Sequence, residues 1–391
     1  MDQDTNTSDA AAMNRLVSLA RGLLKQGSGG YESMGGGEEI NRQEIAEALE
    51  KRIVSDASMS HELPPAVTAK AAAAEALSHA ESALNKVAND ESPSNLTDLE
   101  VAGLEAIIEV TGRPALRYLK GKVQTPVSVL GENAHWQVLI ATSKTKINRA
   151  SASVGRIAIT NNLGLTEPLG TGWRTGVDLI VTNRHVVREM VSNPTDSASR
   201  WTVDRPPQPF IDFAVTDEAG ATQRFDIADL LFVAPEEDVD IAILKIAAGA
   251  TLLPEALPVD WHPEAPGREL ADENGAIFQG REIYVVGHPY RRRASELVVS
   301  VFGVADGMKR LSPGLVKRLD HERPLLEHDC STLGGNSGSC VFTADEHTVI
   351  GVHMGGVDVD DATAKGSANR AISLARLGEH KAAHIIQCGK L

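Results

Sequence analysis

The hydrophobic positions of this chain change their period after the first third. Over residues 1–120 they recur every three or four residues, which is the spacing of one face of an α-helix. Thr97 and Glu100 add a capping-box pattern before a further apolar stretch. The pattern predicts a helical N-terminal region, either an adaptor that recruits a protein partner or docks on the rest of the chain, or a solvated spacer. Its predicted segments are a helix over residues 11–26, a glycine-rich linker (Gly27–Gly37), a helix with Ile45, Leu49 and Ile53 on one face, and an alanine-rich helix from Pro64-Pro65 to about Ala88.

From Arg156 onward, short β-type runs follow one another at regular spacing, which is typical of antiparallel barrels. Residues 121–152 are predicted to be a linker with one strand at Trp136–Ile140. A proline-rich segment, 247–280, separates two series of strands, and residues 374–386 predict a final helix. The predicted strands are Arg156–Thr160, Thr171–Arg174, Leu179–Thr182, Phe210–Thr216, Leu230–Val233, Ile241–Ile246, Glu282–Gly287, Leu297–Val304, Leu325–Asp329, Cys340–Thr343, Val349–Met354 and Ala368–Ser373.

One stretch of the chain combines a hydroxyl side chain, which is a potential nucleophile, with several glycines. Residues 332–339 read Thr-Leu-Gly-Gly-Asn-Ser-Gly-Ser, so that Ser337 lies among three glycines. Glycine lets the backbone turn sharply and direct its N–H groups toward one point. Acyl transfer needs a hydroxyl nucleophile beside such donors, which stabilise the oxyanion formed on attack. Alone, the stretch is equally typical of a hairpin turn, so a catalytic interpretation requires a base and an acid elsewhere.

Two upstream motifs supply these groups. The apolar run 179–182 leads into His185, and a carboxylate pair, Asp238 and Asp240, stands before the apolar run 241–246. An imidazole can take the proton of a serine, and a carboxylate can orient that imidazole. The segments therefore carry the three functional groups of a serine hydrolase.

With these motifs in the order His, Asp, Ser, the chain resembles the chymotrypsin-like serine peptidases over about residues 153–385. The matching patterns are T-x-x-H at 182–185, D-I-A-x-L-K at 240–245 and G-N-S-G at 335–338. The resemblance implies a mainly β fold of two six-stranded antiparallel barrels with a C-terminal helix. It places the peptidase domain at 153–391, with barrel one at about 153–260, barrel two at about 275–375, the helix at about 374–386 and the catalytic cleft between the barrels.

The resemblance also implies a role for each matching residue. Ser337 would be the nucleophile, His185 the base that then protonates the leaving amine, and Asp240 the group that orients the imidazole. Asp238 is a rival for the last role, but only Asp240 directly precedes the apolar strand. The backbone N–H groups of Gly335 and Ser337 match the oxyanion hole. Asn336 occupies the place of an aspartate that, in trypsin and its digestive relatives, pairs with a newly cut N-terminus, so activation by that route is not expected.

Within this family, the chain is closest in pattern to bacterial glutamyl endopeptidases. Their pocket for the residue before the cleaved bond (P1) uses a histidine and a threonine that match His353 and Thr332, and Gly355 lies on the same wall. A charged imidazole makes a strong hydrogen bond to a carboxylate. The pattern therefore predicts a small or acidic P1 residue, while the alternative is that His353 is a satisfied polar residue beneath the pocket.

Charge and cysteine content limit the possible binding partners and the cellular compartment of the protein. The formal net charge of −15 argues against nucleic acid or an anionic membrane as a partner, and the basic cluster Arg291–Arg293 is interpreted as a solvated loop. The N-terminus is acidic without an apolar signal core, and no apolar run reaches the roughly 20 residues needed to span a bilayer. Three cysteines are too few for a disulfide framework. These features predict a bacterial-type cytoplasmic protein with reduced thiols.

No metal or organic cofactor is predicted. His380 and His384 have helical i, i+4 spacing but lack the glutamate of a zinc-peptidase motif, and Gly35–Gly37 lacks the Lys-Ser/Thr of a phosphate loop. The predicted function is a serine endopeptidase acting on protein or peptide substrates. Two alternatives stay open on the sequence: a peptide-binding or sensor module with little or no turnover, and an esterase of the same chemistry.

Overall fold

The structure, a computed structural model, describes residues 42–55, 68–88, 96–97, 99–100, 103–104, 115–125, 135–161, 163–191, 201–203, 208–215, 222–247, 253–261, 280–290, 307–320, 323–332, 335–356 and 369–388. Several predicted features lie outside these residues: the helix at 11–26, the linker Gly27–Gly37, Pro64-Pro65, the Arg291–Arg293 cluster and the strand Leu297–Val304. In the described part of the chain, no helix is both long and apolar enough to cross a membrane.

Two helices from the N-terminal region pack against each other: α1 (Arg42–Ser55) and α2 (Ala69–Ala88). Ile45, Leu49 and Ile53 are buried on one face of α1, as their spacing predicted. The opposing face of α2 is built largely of alanine, which lets the two helices approach closely. The buried alanines of α2 are Ala72, Ala73, Ala76, Ala80 and Ala83.

The predicted capping box is formed. Thr97 N donates to Glu100 Oε2 at 2.8 Å, and Glu100 N donates to Thr97 Oγ1 at 3.3 Å. Burial by itself would raise the pKa of Glu100, but hydrogen bonds from Thr97, Ser82 and Lys86 lower it to about 2. The carboxylate thus stays charged and ties this turn to α2 through Lys86 Nζ at 2.9 Å.

Barrel one is closed by six antiparallel strands in the order β3-β4-β5-β8-β7-β6, with β6 pairing back to β3. Its interior is filled by β-branched and other aliphatic side chains, such as Ile157, Ile180 and Leu244. The strands are β3 (Val154–Thr160), β4 (Thr166–Thr175), β5 (Leu179–Thr182), β6 (Pro209–Asp212), β7 (Arg224–Val233) and β8 (Ala242–Ile246).

Barrel two is closed in the order β9-β10-β11-β14-β13-β12, because β12 pairs with β9 and β10 pairs with β11. A short hairpin of β1 (Leu116–Leu119) and β2 (Lys122–Val123) adds to β10. Two six-stranded antiparallel barrels therefore form the body of the protein, which confirms the predicted fold class. The strands are β9 (Glu282–Gly287), β10 (Arg310–Leu319), β11 (Leu325–His328), β12 (Cys340–Thr343), β13 (Val349–Gly356) and β14 (Asn369–Ser373).

The prediction of a strand at Trp136–Ile140 is wrong, because this segment begins the helix α3 (His135–Ser151). Trp136, Ile140 and Ile147 are its large buried side chains, and their spacings of four and seven are those of one helical face. They pack into a core shared by the two barrels, which includes Trp173 from β4 and Tyr284 from β9. This shared core fixes the barrels against each other.

Two other elements differ from the sequence prediction. Strand β10 was not predicted, because it contains Pro313 and Gly314, residues that ordinarily interrupt a strand. The predicted terminal helix begins as a 3₁₀ turn (Leu374–Leu377), breaks at Gly378 and continues as α5 (Lys381–Cys388). The break places the side chain of His380 just before α5, where it contacts barrel one.

Candidate active site

His185 lies on the single helical turn α4 (Arg184–Arg188), which follows directly from the end of β5. Val186 and Val187 are buried in the core of barrel one, so the helix is anchored by its apolar face. The side chain of His185 points the other way and is about half exposed, at 46%. The local sequence therefore presents an imidazole at the rim of the barrel.

Asp240 holds this imidazole with both carboxylate oxygens. His185 Nδ1 lies 2.6 Å from Asp240 Oδ2, and the backbone N of His185 donates to Asp240 Oδ1 at 3.0 Å. Burial opposes the charge on Asp240, but the hydrogen bonds from His185 and the nearby Arg184 guanidinium lower its pKa below the ordinary value. An ionised carboxylate must accept the Nδ1 proton, which leaves the lone pair of His185 on Nε2.

Arg184, whose contribution the sequence did not reveal, fixes the loop that carries the aspartate. Its side chain donates to the carbonyl oxygens of Pro235, Glu236, Asp238 and Val239. Its neighbour in sequence reinforces the contact, since Asn183 Nδ2 donates to the carbonyl oxygen of Asp240 at 2.8 Å. The loop and the start of the helical turn α4 are thus joined along three consecutive residues, 183–185. The sequence signal that could have indicated this structural role is an arginine at position 184, directly before the histidine and just after an apolar strand.

The rival carboxylate, Asp238, faces another histidine. Its Oδ2 lies 3.0 Å from His380 Nε2, and burial is outweighed by hydrogen bonds from Val239 N and His380, so its pKa is lowered. His380 therefore joins the C-terminal segment to barrel one. Among the described residues, no group of histidine, cysteine, aspartate or glutamate side chains could hold a metal ion.

The loop around Ser337 reaches from barrel two to barrel one. Thr171 N, on β4, donates to the carbonyl oxygen of Ser337 at 2.8 Å. A Cβ atom at Gly170 would lie 2.7 Å from the Val186 side chain and 3.1 Å from Ser337 O. The residue after His185 and the backbone of Ser337 thus meet at the same point of β4. The fold therefore brings the backbone of Ser337 close to the helical turn that carries His185, although the two residues are 152 apart in the sequence, since 337 − 185 = 152.

The Ser337 hydroxyl donates a long hydrogen bond, 3.4 Å, to the carbonyl oxygen of Met354. In the described residues, no hydrogen bond joins Ser337 Oγ to His185 Nε2. Rotation about χ1 moves the hydroxyl between staggered positions. Catalytic hydrogen bonds are often long or absent until substrate is bound.

The backbone of the serine loop depends on two glycines with positive φ, Gly335 (84°) and Gly338 (85°). A Cβ atom at Gly335 would lie 2.5 Å from His288 O, and one at Gly338 would lie 2.0 Å from Thr171 O. Only glycine fits both the dihedral angles and these approaches. The N–H groups of Gly335 and Ser337 donate to no acceptor among the described residues, so they are available to a developing oxyanion.

The three predicted pocket residues lie around the start of β14. Thr332 Oγ1 donates to Asn369 Oδ1 at 2.7 Å, and Asn369 is paired with β11 on one side and β13 on the other. His353 is buried, and its Nδ1 lies 3.2 Å from Nε2 of His328. Gly355 has open space where a side chain would be. Sequence reasoning missed His328, because nothing in its strand marks it as a partner of His353.

Part of the chain, containing both the histidine and the serine motifs, matches a family of known proteins. Residues 170–352, which contain His185, Asp240 and Ser337, match the family described as "Trypsin-like peptidase domain". A protein of Lysobacter enzymogenes described as "Probable serine protease" is 28% identical over 336 residues, covering 78% of this chain and 81% of that protein. The crystal structure of the active form of Rv3671c protease from M. tuberculosis has 17% identity and a TM-score of 0.38, with 64% of this chain and 87% of that chain covered. The two barrels and the match of residues 170–352 to a trypsin-like peptidase domain together support a serine endopeptidase, which is a hydrolase.

Proposed function

We propose that this domain cleaves peptide bonds through a Ser337–His185–Asp240 triad and an acyl-enzyme intermediate. His185 Nε2 takes the proton of Ser337 Oγ as the oxygen attacks the carbonyl carbon of the substrate, and then gives that proton to the leaving amine. Asp240 keeps the proton on Nδ1 and stabilises the imidazolium. Water repeats the sequence and releases the second product.

The observation that carries this proposal is the two-point contact between Asp240 and His185. A carboxylate that binds both the ring Nδ1–H and the backbone N–H fixes the orientation of the ring as well as its tautomer. The backbone N–H groups of Gly335 and Ser337, which donate to no acceptor among the described residues, would stabilise the oxyanion, because donors that the fold holds in place need little reorganisation during the reaction.

A fluorophosphonate probe tests the proposed nucleophile. The probe phosphorus forms a bond to Ser337 Oγ, fluoride leaves, and His185 takes the proton. We expect one label per folded molecule, localised by tandem mass spectrometry to Ser337 and not to Ser339, and no label on unfolded protein. Folded protein that stays unlabelled would contradict the proposal and favour a peptide-binding module. Cleavage of a peptide library, rather than of esters alone, would then separate a peptidase from an esterase.

We also propose that the enzyme prefers an acidic or small P1 residue. The support is the His353–His328 pair: when His328 Nε2–H donates to Nδ1 of His353, neutral His353 carries its own proton on Nε2, as a donor to a carboxylate requires. The role of Thr332 is weaker than the sequence implied, because its one hydroxyl hydrogen is given to Asn369. The Thr332 hydroxyl oxygen keeps a lone pair that can accept a hydrogen bond, and rotation about χ1 on substrate binding would redirect its hydrogen.

Replacing His353 by alanine tests the acidic preference. A hydrogen bond to a charged group contributes about 1.5–3 kcal/mol, so the ratio of kcat/KM for P1 glutamate over P1 glutamine is expected to fall by about 10–100-fold. His347→Ala is the matched control: His347 is also buried in barrel two but pairs with Tyr284, and the variant should keep the ratio. An unchanged ratio in His353→Ala would show that this histidine is only a satisfied buried group.

A further inference from the structure

The hydroxyl of Thr171, on barrel one, makes a contact that the reaction described above does not require. Thr171 Oγ1 donates to the carbonyl oxygen of Gly335 at 2.9 Å and accepts from the backbone N of His288 at 2.9 Å. The residue is fully buried. One hydroxyl thus serves as donor to the serine loop and as acceptor from the end of β9, which uses its single hydrogen and one lone pair.

The backbone of Thr171 is held just as firmly. Its N–H donates to Ser337 O at 2.8 Å, and its carbonyl oxygen accepts from Thr182 Oγ1 at 2.7 Å. Thr182 lies on the neighbouring strand β5 and comes three residues before His185. Thr171 is therefore a fixed point on barrel one, from which two hydrogen bonds cross to the serine loop.

These two bonds fix the peptide groups on either side of the Ser337 amide. The Gly335 carbonyl belongs to the peptide group 335–336, and the Ser337 carbonyl belongs to the peptide group 337–338. A peptide group is planar, so holding its oxygen also fixes the direction of its N–H. The peptide group 336–337 between them is anchored by Ser339 N, which donates to Asn336 O at 2.9 Å.

Gly335 is the residue for which this anchoring matters most. Glycine at φ 84° has no Cβ to limit rotation, so the peptide group 335–336, which joins the Gly335 carbonyl to the Asn336 N–H, can turn unless something holds it. Thr171 Oγ1 holds the carbonyl, and the close approach of His288 O and Tyr290 N leaves little space on the other side. The hydroxyl is the one side chain among the described residues that bonds this carbonyl.

We propose that Thr171 is a positioning residue that holds the oxyanion loop of barrel two from barrel one. This role rests on the proposed function: Thr171 lies outside the triad, yet the rate of peptide-bond hydrolysis depends on it. The peptide group 335–336 lies between the two groups that carry the proposed donors, Gly335 N–H in group 334–335 and Ser337 N–H in group 336–337. Without the hydroxyl this central group turns and the two donors no longer converge on the oxyanion, so the transition state is stabilised less while substrate binding is kept.

Thr171→Val and Thr171→Ser test this role, because valine has the shape of threonine without the hydroxyl and serine keeps the hydroxyl. Complete loss of an oxyanion donor costs about 10²–10³-fold in kcat. Since Thr171→Val misdirects a donor without deleting it, we expect kcat to fall by about 10–100-fold with KM nearly unchanged. The affinity for a peptide boronic acid should weaken by the same factor, because that inhibitor becomes tetrahedral in the site, and Thr171→Ser should restore both.

Thr343→Val is the matched control. Thr343 is also a buried threonine whose Oγ1 accepts a backbone N–H, from Thr348, but it lies at the far end of β12. We expect this variant to lower Tm and to keep kcat. If Thr171→Val fails to give a cooperative thermal transition, Thr171→Ala replaces it, since it removes the hydroxyl without adding an apolar branch.

The inference would be overturned if kcat of Thr171→Val stayed within about twofold of wild type, or if Thr171→Ser and Thr171→Val lost activity equally. A loss that appears in KM alone would also contradict it. Failure of the proposed function is distinguishable, because wild-type protein would then take up no fluorophosphonate label and show no turnover to compare.

Discussion

Replacing Ser337 by alanine is expected to lower peptide-bond hydrolysis by about 10⁶-fold in kcat. The substitution removes the proposed nucleophilic oxygen, and neither His185 nor the loop amides could form an acyl-enzyme without it. The loop itself should survive, because its described anchoring bonds run through the backbone of residues 336–339 and not through the Ser337 side chain. Turnover of a cleavable peptide, together with Tm, measures the effect.

Ser339→Ala is the control for this variant. Ser339 is fully buried two residues further along the same loop, and its hydroxyl has no hydrogen-bond partner among the described residues. Its replacement should leave kcat within about twofold of wild type. Substantial turnover by Ser337→Ala, or its loss in Ser339→Ala instead, would assign the nucleophile to another residue.

Replacing Asp240 by asparagine is expected to lower kcat by about 10⁴-fold. An asparagine amide would donate a hydrogen bond to His185 Nδ1, which moves the ring proton to Nε2 and leaves no lone pair facing the serine. The effect is one of tautomer and charge, because asparagine has the same size as aspartate. Since the pKa of Asp240 is lowered, wild type keeps its carboxylate charged at any pH above the ordinary range of this group.

Asp238→Asn makes the same change two residues away. Asp238 binds His380, not His185, and it is partly exposed, so losing this ion pair should cost about 0–1 kcal/mol of stability. We expect the kcat of Asp238→Asn to match wild type. If the two variants lost activity equally, the effect of Asp240→Asn would come from disturbance of the loop that Arg184 holds, and the orienting role of Asp240 would be wrong.

Local sequence was sufficient to predict the bounds of a strand where an apolar run is almost completely buried and ends at turn residues. The strands Leu179–Thr182, Glu282–Gly287 and Cys340–Thr343 were predicted with the bounds that the structure has. The two-barrel fold was predicted from the family that the ordered His, Asp and Ser motifs resemble, and each of these motifs combines a strand end with a reactive side chain. Strand bounds and the motifs at strand ends depend on residues that are neighbours in the chain.

Local reasoning failed where packing overrides propensity. Pro313 and Gly314 argue against a strand, yet β10 runs through both, because β9 and β11 pair along it and the barrel closes there. At Trp136–Ile140, five residues were too short a window to separate a strand from the helix α3. In each case the deciding contacts come from segments far away in the sequence.

By itself, the sequence determined which reactive groups this protein has and the order in which they occur: a serine among glycines, a histidine after a buried strand and two carboxylates before another. Only the tertiary structure decided that Asp240 meets His185 while Asp238 meets His380, and that Thr171 reaches Gly335, 164 residues away. The physical reason is that a hydrogen bond depends on distance and angle in space. Those are set when the two barrels close and share a core, and no spacing along the chain encodes them.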